Sequence, residues 1–315
     1  MEIRERLEQW KAHAVISAEQ HTLLAGLARG GPLSVFLELN VLLYAGILIF
    51  VAGLGWTVTT WSRQFGDVLV LTVLSVILTA SLWYCFSRAP EWSPAETPSP
   101  SLVFDYVLYL GSLTWTVELA YLETRFHLLS GQWDGYLLTT TGLFFFFAYR
   151  FDNRFVLSLA LSSLAGWFGL TVSHWPSHHD ARYRLYAVLY SLIVGLTGAM
   201  LQRRRLKAHF FGTYLNIAAN VLFLALLSGI VAQTESYAVW LPALLAACGA
   251  SLLWGLPRRQ FSFVAYAAIY GYAGVSLIVV RAMGEAVAVL SYFILTGVCM
   301  VALLVGTARR FGREA

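Results

Sequence analysis

Four side chains sit where charged or amide groups are costly. Asp105 and Glu118 interrupt the apolar stretch 102–122, while Asn216 and Asn220 lie one turn apart in the run 210–234. A carboxyl group among apolar helices pairs, snorkels to the nearest interface, or relays a proton or cation, so these residues mark a candidate intramembrane polar site. By helical periodicity Asp105 shares a face with Tyr109, Ser112 and Thr116, and Glu118 lines up with Gly111, Thr114 and Trp115. The two asparagines, with Thr213 on their stripe, must face other helices, to bond a neighbour, Asp105 or a substrate.

A second cluster joins His174, His178, His179 and Asp180 in one loop to Glu123, His127 and Asp134 in another. Histidines at i and i+4 suit a metal on a helix, but Pro176 stands between them, and no metal site is expected. The chain has no HExxH, GxSxG, Walker loop or GxGxxG, and Cys85, Cys248 and Cys299 form no CxxC pair. No catalytic residue and no cofactor is expected, and the chain does not read as an enzyme.

The elements that hold these residues are set by composition. Charged side chains are 12% and apolar ones 58% of 315 residues, with a net charge of +4. That balance excludes a soluble enzyme, a disordered chain, a disulfide-stapled secreted domain and a nucleic-acid binder. Long apolar runs cover 39–62, 68–87, 155–173, 185–202, 210–234, 236–257, 260–280 and 286–308. With the weaker 102–122 and 135–149 they predict an all-α polytopic membrane helix bundle of about ten transmembrane helices over residues 32–310. Every Lys and Arg but Arg63, Arg125, Arg182, Arg184 and Arg281 then falls on one side, which the bias of basic loops makes cytoplasmic. The basic charge reads as an orientation signal, the protein as a multi-pass protein of the inner membrane with both termini cytoplasmic. Omitting only one weak span would put Arg203–Lys207 outside, so both cross or neither does.

Residues 1–31 read as a cytoplasmic amphipathic helical hairpin with no cleavable signal, leaving the first span as an anchor. Ile3, Leu7 and Trp10 share one face, and Ser17 with Gln20 forms an S-x-x-Q capping box before the stripe Leu23, Leu24 and Leu27. The hairpin suits the membrane surface or a membrane-protein or cytoplasmic partner. Residues 90–100 hold four prolines and read as an extended spacer. Gly271 with Gly274, and Ser158, Ser162 and Gly166, read as close helix contacts, while Trp61, Trp83, Trp133, Trp175, Trp240 and Trp254 mark interfaces.

The stretch Phe104–Gly169 contains Phe104-Asp105-Tyr106-Val107-Leu108-Tyr109-Leu110-Gly111, Glu118-Leu119-Ala120-Tyr121 and Ala148-Tyr149-Arg150-Phe151-Asp152-Asn153-Arg154. With Leu157-Ser158-Leu159-Ala160-Leu161, and Leu7, Trp10, Ile16 and Gln20 before the first span, it resembles the bacterial predicted membrane proteins of domain of unknown function 2157. The resemblance implies a multi-spanning inner-membrane protein with a cytoplasmic helical head, and brings no activity. It supports the third and fourth spans, with Arg150–Arg154 as a tight turn in which Asp152 or Asn153 caps the next helix.

Two functions follow from the sequence. Ten spans divide into two oppositely oriented halves, the layout of an inverted-repeat carrier or exporter for a small apolar or amphipathic molecule. The other is a non-transporting scaffold or regulatory subunit of a membrane complex, favoured by the absence of a dense polar constellation. The lipid bilayer is a partner in either case, and nucleic acid in neither.

Overall fold

The computed structural model describes residues 66–127, 133–173, 180–232, 237–283 and 285–313, with a few isolated residues nearer the N-terminus. The chain divides into two compact units, Met1–Gly46 with Val301–Ala315, and Ile47–Met300. In the first, Ser17 and Gln20 form the expected capping box: the Gln20 amide donates to Ser17 Oγ at 3.1 Å and the Ser17 amide to Gln20 Oε1 at 2.9 Å. Most of the rest of the hairpin and of the run 39–62, together with Trp61, Trp175, His174, His178 and His179, lie outside the described residues.

From Asp67 on the described residues are all-α, and the last helix runs from the second unit into the Val301–Ala315 part of the first. Among the described residues there are nine α-helices: α1 (Asp67–Arg88), α2 (Leu102–Phe126), α3 (Trp133–Phe151), α4 (Arg154–Ser173), α5 (Asp180–Arg203), α6 (Phe211–Val231), α7 (Tyr237–Gly255), α8 (Phe261–Ala282) and α9 (Ala286–Arg313). Six of them, α1, α4, α5, α6, α8 and α9, are long and apolar enough to cross a membrane, fewer than the ten the sequence predicts. The difference has physical reasons. α2 carries Asp105, Glu118, Glu123 and Arg125, the 19-residue α3 carries Asp134 and Arg150, and the apolar part of α7 is Val239–Gly255. Leu192, Leu196, Leu253, Leu290 and Leu295 are all more than half exposed, an exterior suited to lipid rather than water.

Consecutive helices pair antiparallel, with a consistent register. Ser75 meets Glu118 and Asp67 meets Tyr121 between α1 and α2, Tyr136 meets Thr116 between α2 and α3, and Ser251 meets Phe263 between α7 and α8. α6 lies centrally, packed on α4, α5, α7 and α8. Its buried Phe223, Leu226 and Ile230 join Leu244 of α7 and Ala267 of α8 in one hydrophobic core, where Phe223 stacks on Tyr270 at 5.0 Å. α9 is held to α8 by Tyr272–Thr296 and Ser276–Tyr292 contacts of 2.9 and 3.0 Å.

Small residues set the closest approaches. A Cβ on Gly229 would lie 2.5 Å from the Trp240 ring, and one on Gly274 would overlap Leu244. Trp240, expected at an interface, is instead 9% exposed because its ring fills the notch left by Gly229. Trp83 stands in the open, 76% exposed. Replacing Gly229 by Val should cost about 1–3 kcal/mol through overpacking. Gly249, whose Cβ would meet nothing within 4 Å, should tolerate Ala, and thermal unfolding of the detergent-solubilised variants separates the two.

Candidate functional site

The structure separates the four polar candidates into three places. Asp105 lies in the first turn of α2, where Asn153 Nδ2 donates to its Oδ1 at 2.9 Å and to the Tyr109 hydroxyl at 3.0 Å. The same asparagine caps α4: its Oδ1 accepts from the amides of Phe155 and Val156 at 3.0 and 3.1 Å. Asn153 therefore fills the capping role the sequence left open between two residues. Glu118, 13 positions along α2 and so about 20 Å away, accepts from Ser75 Oγ at 2.5 Å. Its Oε2 is buried without a hydrogen bond, as are Trp115 Nε1 and Thr114 Oγ1 on the same face.

Asn216 and Asn220 belong to a ladder between α6 and α8. Tyr266 donates to Asn216 Oδ1 and Tyr270 to Asn220 Oδ1, each at 3.2 Å, and each asparagine returns a bond to the carbonyl four residues back. The equal spacing shows α6 and α8 running parallel. The ladder consumes the amides in helix pairing, away from Asp105 and Glu118.

A polar node absent from the sequence-based candidates lies where α3, α5 and their successors turn. The Asp152 carboxylate accepts from Lys207 Nζ at 3.0 Å and from the Thr97 amide at 2.5 Å, and meets His209 Nε2 at 2.5 Å. Lys207 and Asp152 are 2% and 4% exposed. Lys207 also donates from its amide to the Pro94 carbonyl at 2.8 Å and from Nζ to that of Ala95 at 3.1 Å. Arg150 donates to the Pro90 carbonyl, and Arg154 pairs with Glu96 on the surface. Residues 90–100 are thus extended, as expected, but stapled as a strap across two helical turns. The signal in the sequence was an acidic residue in a two-residue turn, matched by a lysine and a histidine just beyond another helix.

A groove of about 470 Å³ opens on one side between α5 and α7, with α6 as its floor. Leu196, Ala199, Leu215, Ala219 and Ala250 make it apolar, and Phe211 and Trp254 form one end. There the Arg258 guanidinium lies 3.5 Å over the Trp254 ring. The face of α1 that carries Val68, Thr72, Val76 and Trp83 is open as well. Among the described residues, no three His, Cys, Asp or Glu side chains are grouped to hold a metal ion. No family model, curated protein or solved structure matches the chain.

Lys207→Met removes one member of a buried ion pair while leaving Asp152 in place, and should cost about 3 kcal/mol. It should also release the strap, so a glutamate-specific protease should cut at Glu91 and Glu96 several times faster than in the parent. Unchanged cleavage would show that the strap is held by other contacts.

Proposed function

We propose that the chain is a ten-span protein of the bacterial inner membrane that carries or exports a small apolar or amphipathic molecule, entering its groove sideways from the bilayer. The observation that supports this reading is the apolar groove between α5, α6 and α7, bounded by exposed leucines and open along the helices. α2, α3 and α7 complete the count with the run 39–62. The end that holds Arg88, Arg150, Arg203 and Arg258 is cytoplasmic, as are both termini. Basic residues at the opposite end have structural duties: Arg125 is paired with Asp67, Arg281 caps the α6 carbonyl of Val231, and Arg184 lies against Trp240.

The polar ladder and the Asp105 cluster are spent on helix contacts, so they line no aqueous route of their own. Glu118 keeps an unmatched oxygen, but it lies between α1 and α2 and not in the groove, so it is given no part in holding the cargo. The scaffold reading draws on the extensive internal pairing, with residues 1–31 as the partner-binding segment.

Proteoliposomes should take up at least one of a panel of fluorescent amphipaths faster than protein-free vesicles. Ala250→Trp, which fills the groove from an exposed position, should abolish that uptake, whereas Leu253→Trp, on exposed surface outside the groove, should not. Uptake no faster than in empty vesicles across the panel would favour the scaffold.

A further inference from the structure

The groove has a direction. From Phe211 to Phe223 its floor covers 13 residues, about 18 Å of helix, a little over half of a roughly 30 Å hydrocarbon core. It begins at the basic end, so its length matches one leaflet and the acyl chain of one lipid. Leu192, Gly195, Leu196 and Ala199 form its α5 wall, and the next position on that stripe, one turn beyond Ala199, is Arg203. Arg258 closes the end from the turn after α7, its NH1 donating to the Trp254 carbonyl at 3.4 Å while the side chain stays exposed.

What sets these two cations apart from the other arginines at this end is their place beside the groove, on its α5 stripe and over its Trp254 wall. Lys207 has Asp152 and Arg154 has Glu96, but among the described residues neither Arg203 nor Arg258 has a carboxylate within ion-pair distance. Orientation by basic loops accounts for their side of the membrane; it does not account for a guanidinium laid flat on the aromatic wall of an apolar groove. A flat guanidinium with free edge N–H groups is suited to a phosphate.

We propose that the groove between α5, α6 and α7 holds one acyl chain of an anionic phospholipid of the cytoplasmic leaflet, with its phosphate against Arg203 and Arg258. The proposal rests on the groove being the ligand site, and gives that ligand a headgroup charge and an orientation. Charge complementarity selects this occupant over a neutral amphipath, and the one-leaflet length selects a lipid over a soluble anion.

The experiment uses the full chain in mild detergent with equimolar phosphatidylglycerol and phosphatidylcholine, and native mass spectrometry to count retained lipids. The parent should retain phosphatidylglycerol preferentially. Arg203→Gln and Arg258→Gln should each reduce that preference about fivefold, the discrimination of one surface cation for an anionic lipid. Ala250→Trp should remove the retained lipid of either type, and glycerol phosphate, which has no acyl chain, should not compete. An undiminished preference in the double arginine variant, retention by Ala250→Trp, or displacement by glycerol phosphate would each overturn the proposal. If the arginine variants lose the preference while no amphipath is transported, the lipid site stands and the carrier reading fails. If the preference persists in them while Ala250→Trp blocks transport, the carrier reading stands and the headgroup assignment fails.

Discussion

A polar atom enclosed by apolar helices has no water to return to, so it must find its partner inside the fold. Most of this bundle's specific geometry follows from that constraint. Main-chain groups are satisfied by the helices themselves. Side-chain groups are satisfied in pairs that also fix how helices meet: tyrosine to asparagine between α6 and α8, serine to carboxyl between α1 and α2, and tyrosine to the Leu161 carbonyl between α5 and α4. Apolar packing alone would fix these registers less sharply, since lipid offers leucine about the same surroundings as another helix does.

The same constraint operates most strongly at Asp152. A carboxylate almost wholly removed from solvent needs several donors, and Lys207, His209 and the Thr97 amide supply them from two other segments. The α3–α4 turn, the α5–α6 turn and the strap are therefore joined through one side chain. Asp152 also occupies the left-handed region, at φ 55°, where it closes α3 by letting the Asn153 amide reach the Ala148 carbonyl. One position thus carries both a helix stop and the charge that holds the strap.

Much of the fold was legible in the sequence because hydrophobic run length and capping chemistry are local. The runs at 68–87, 155–173 and 260–280 became helices nearly at their expected ends, and Ser17 and Gln20 cap as their spacing requires. Small residues at Gly166 and Gly274 indeed lie against Leu137 and Leu244. The node was not legible, because its parts are 55 residues or more apart and its turns lack the usual glycine: Asp152, Arg205 and Lys207 take the left-handed conformation instead. Lys207 looked like one more basic residue in a row, and only burial separates it from Arg203–Arg205. Trp240 likewise carried the composition of an interface anchor, and it took the absent side chain at Gly229 to draw it inward.

The side-chain pairing also constrains where a ligand can enter. A route through the bundle along α6 and α8 would have to break the tyrosine–asparagine ladder, leaving two amides and two hydroxyls without partners in an apolar setting. Each such loss costs on the order of 1–3 kcal/mol. The groove between α5 and α7 asks for no such exchange: its walls are mostly alanine, leucine and phenylalanine, its serines Ser191 and Ser251 already donate to the Val188 and Phe263 carbonyls, and its charged feature is at the end, where water and headgroups meet the protein. A molecule with an apolar body and one charged end can enter there while every internal hydrogen bond stays in place. The polar residues that first drew notice thus help to keep the interior closed, and they leave the flank as the accessible surface.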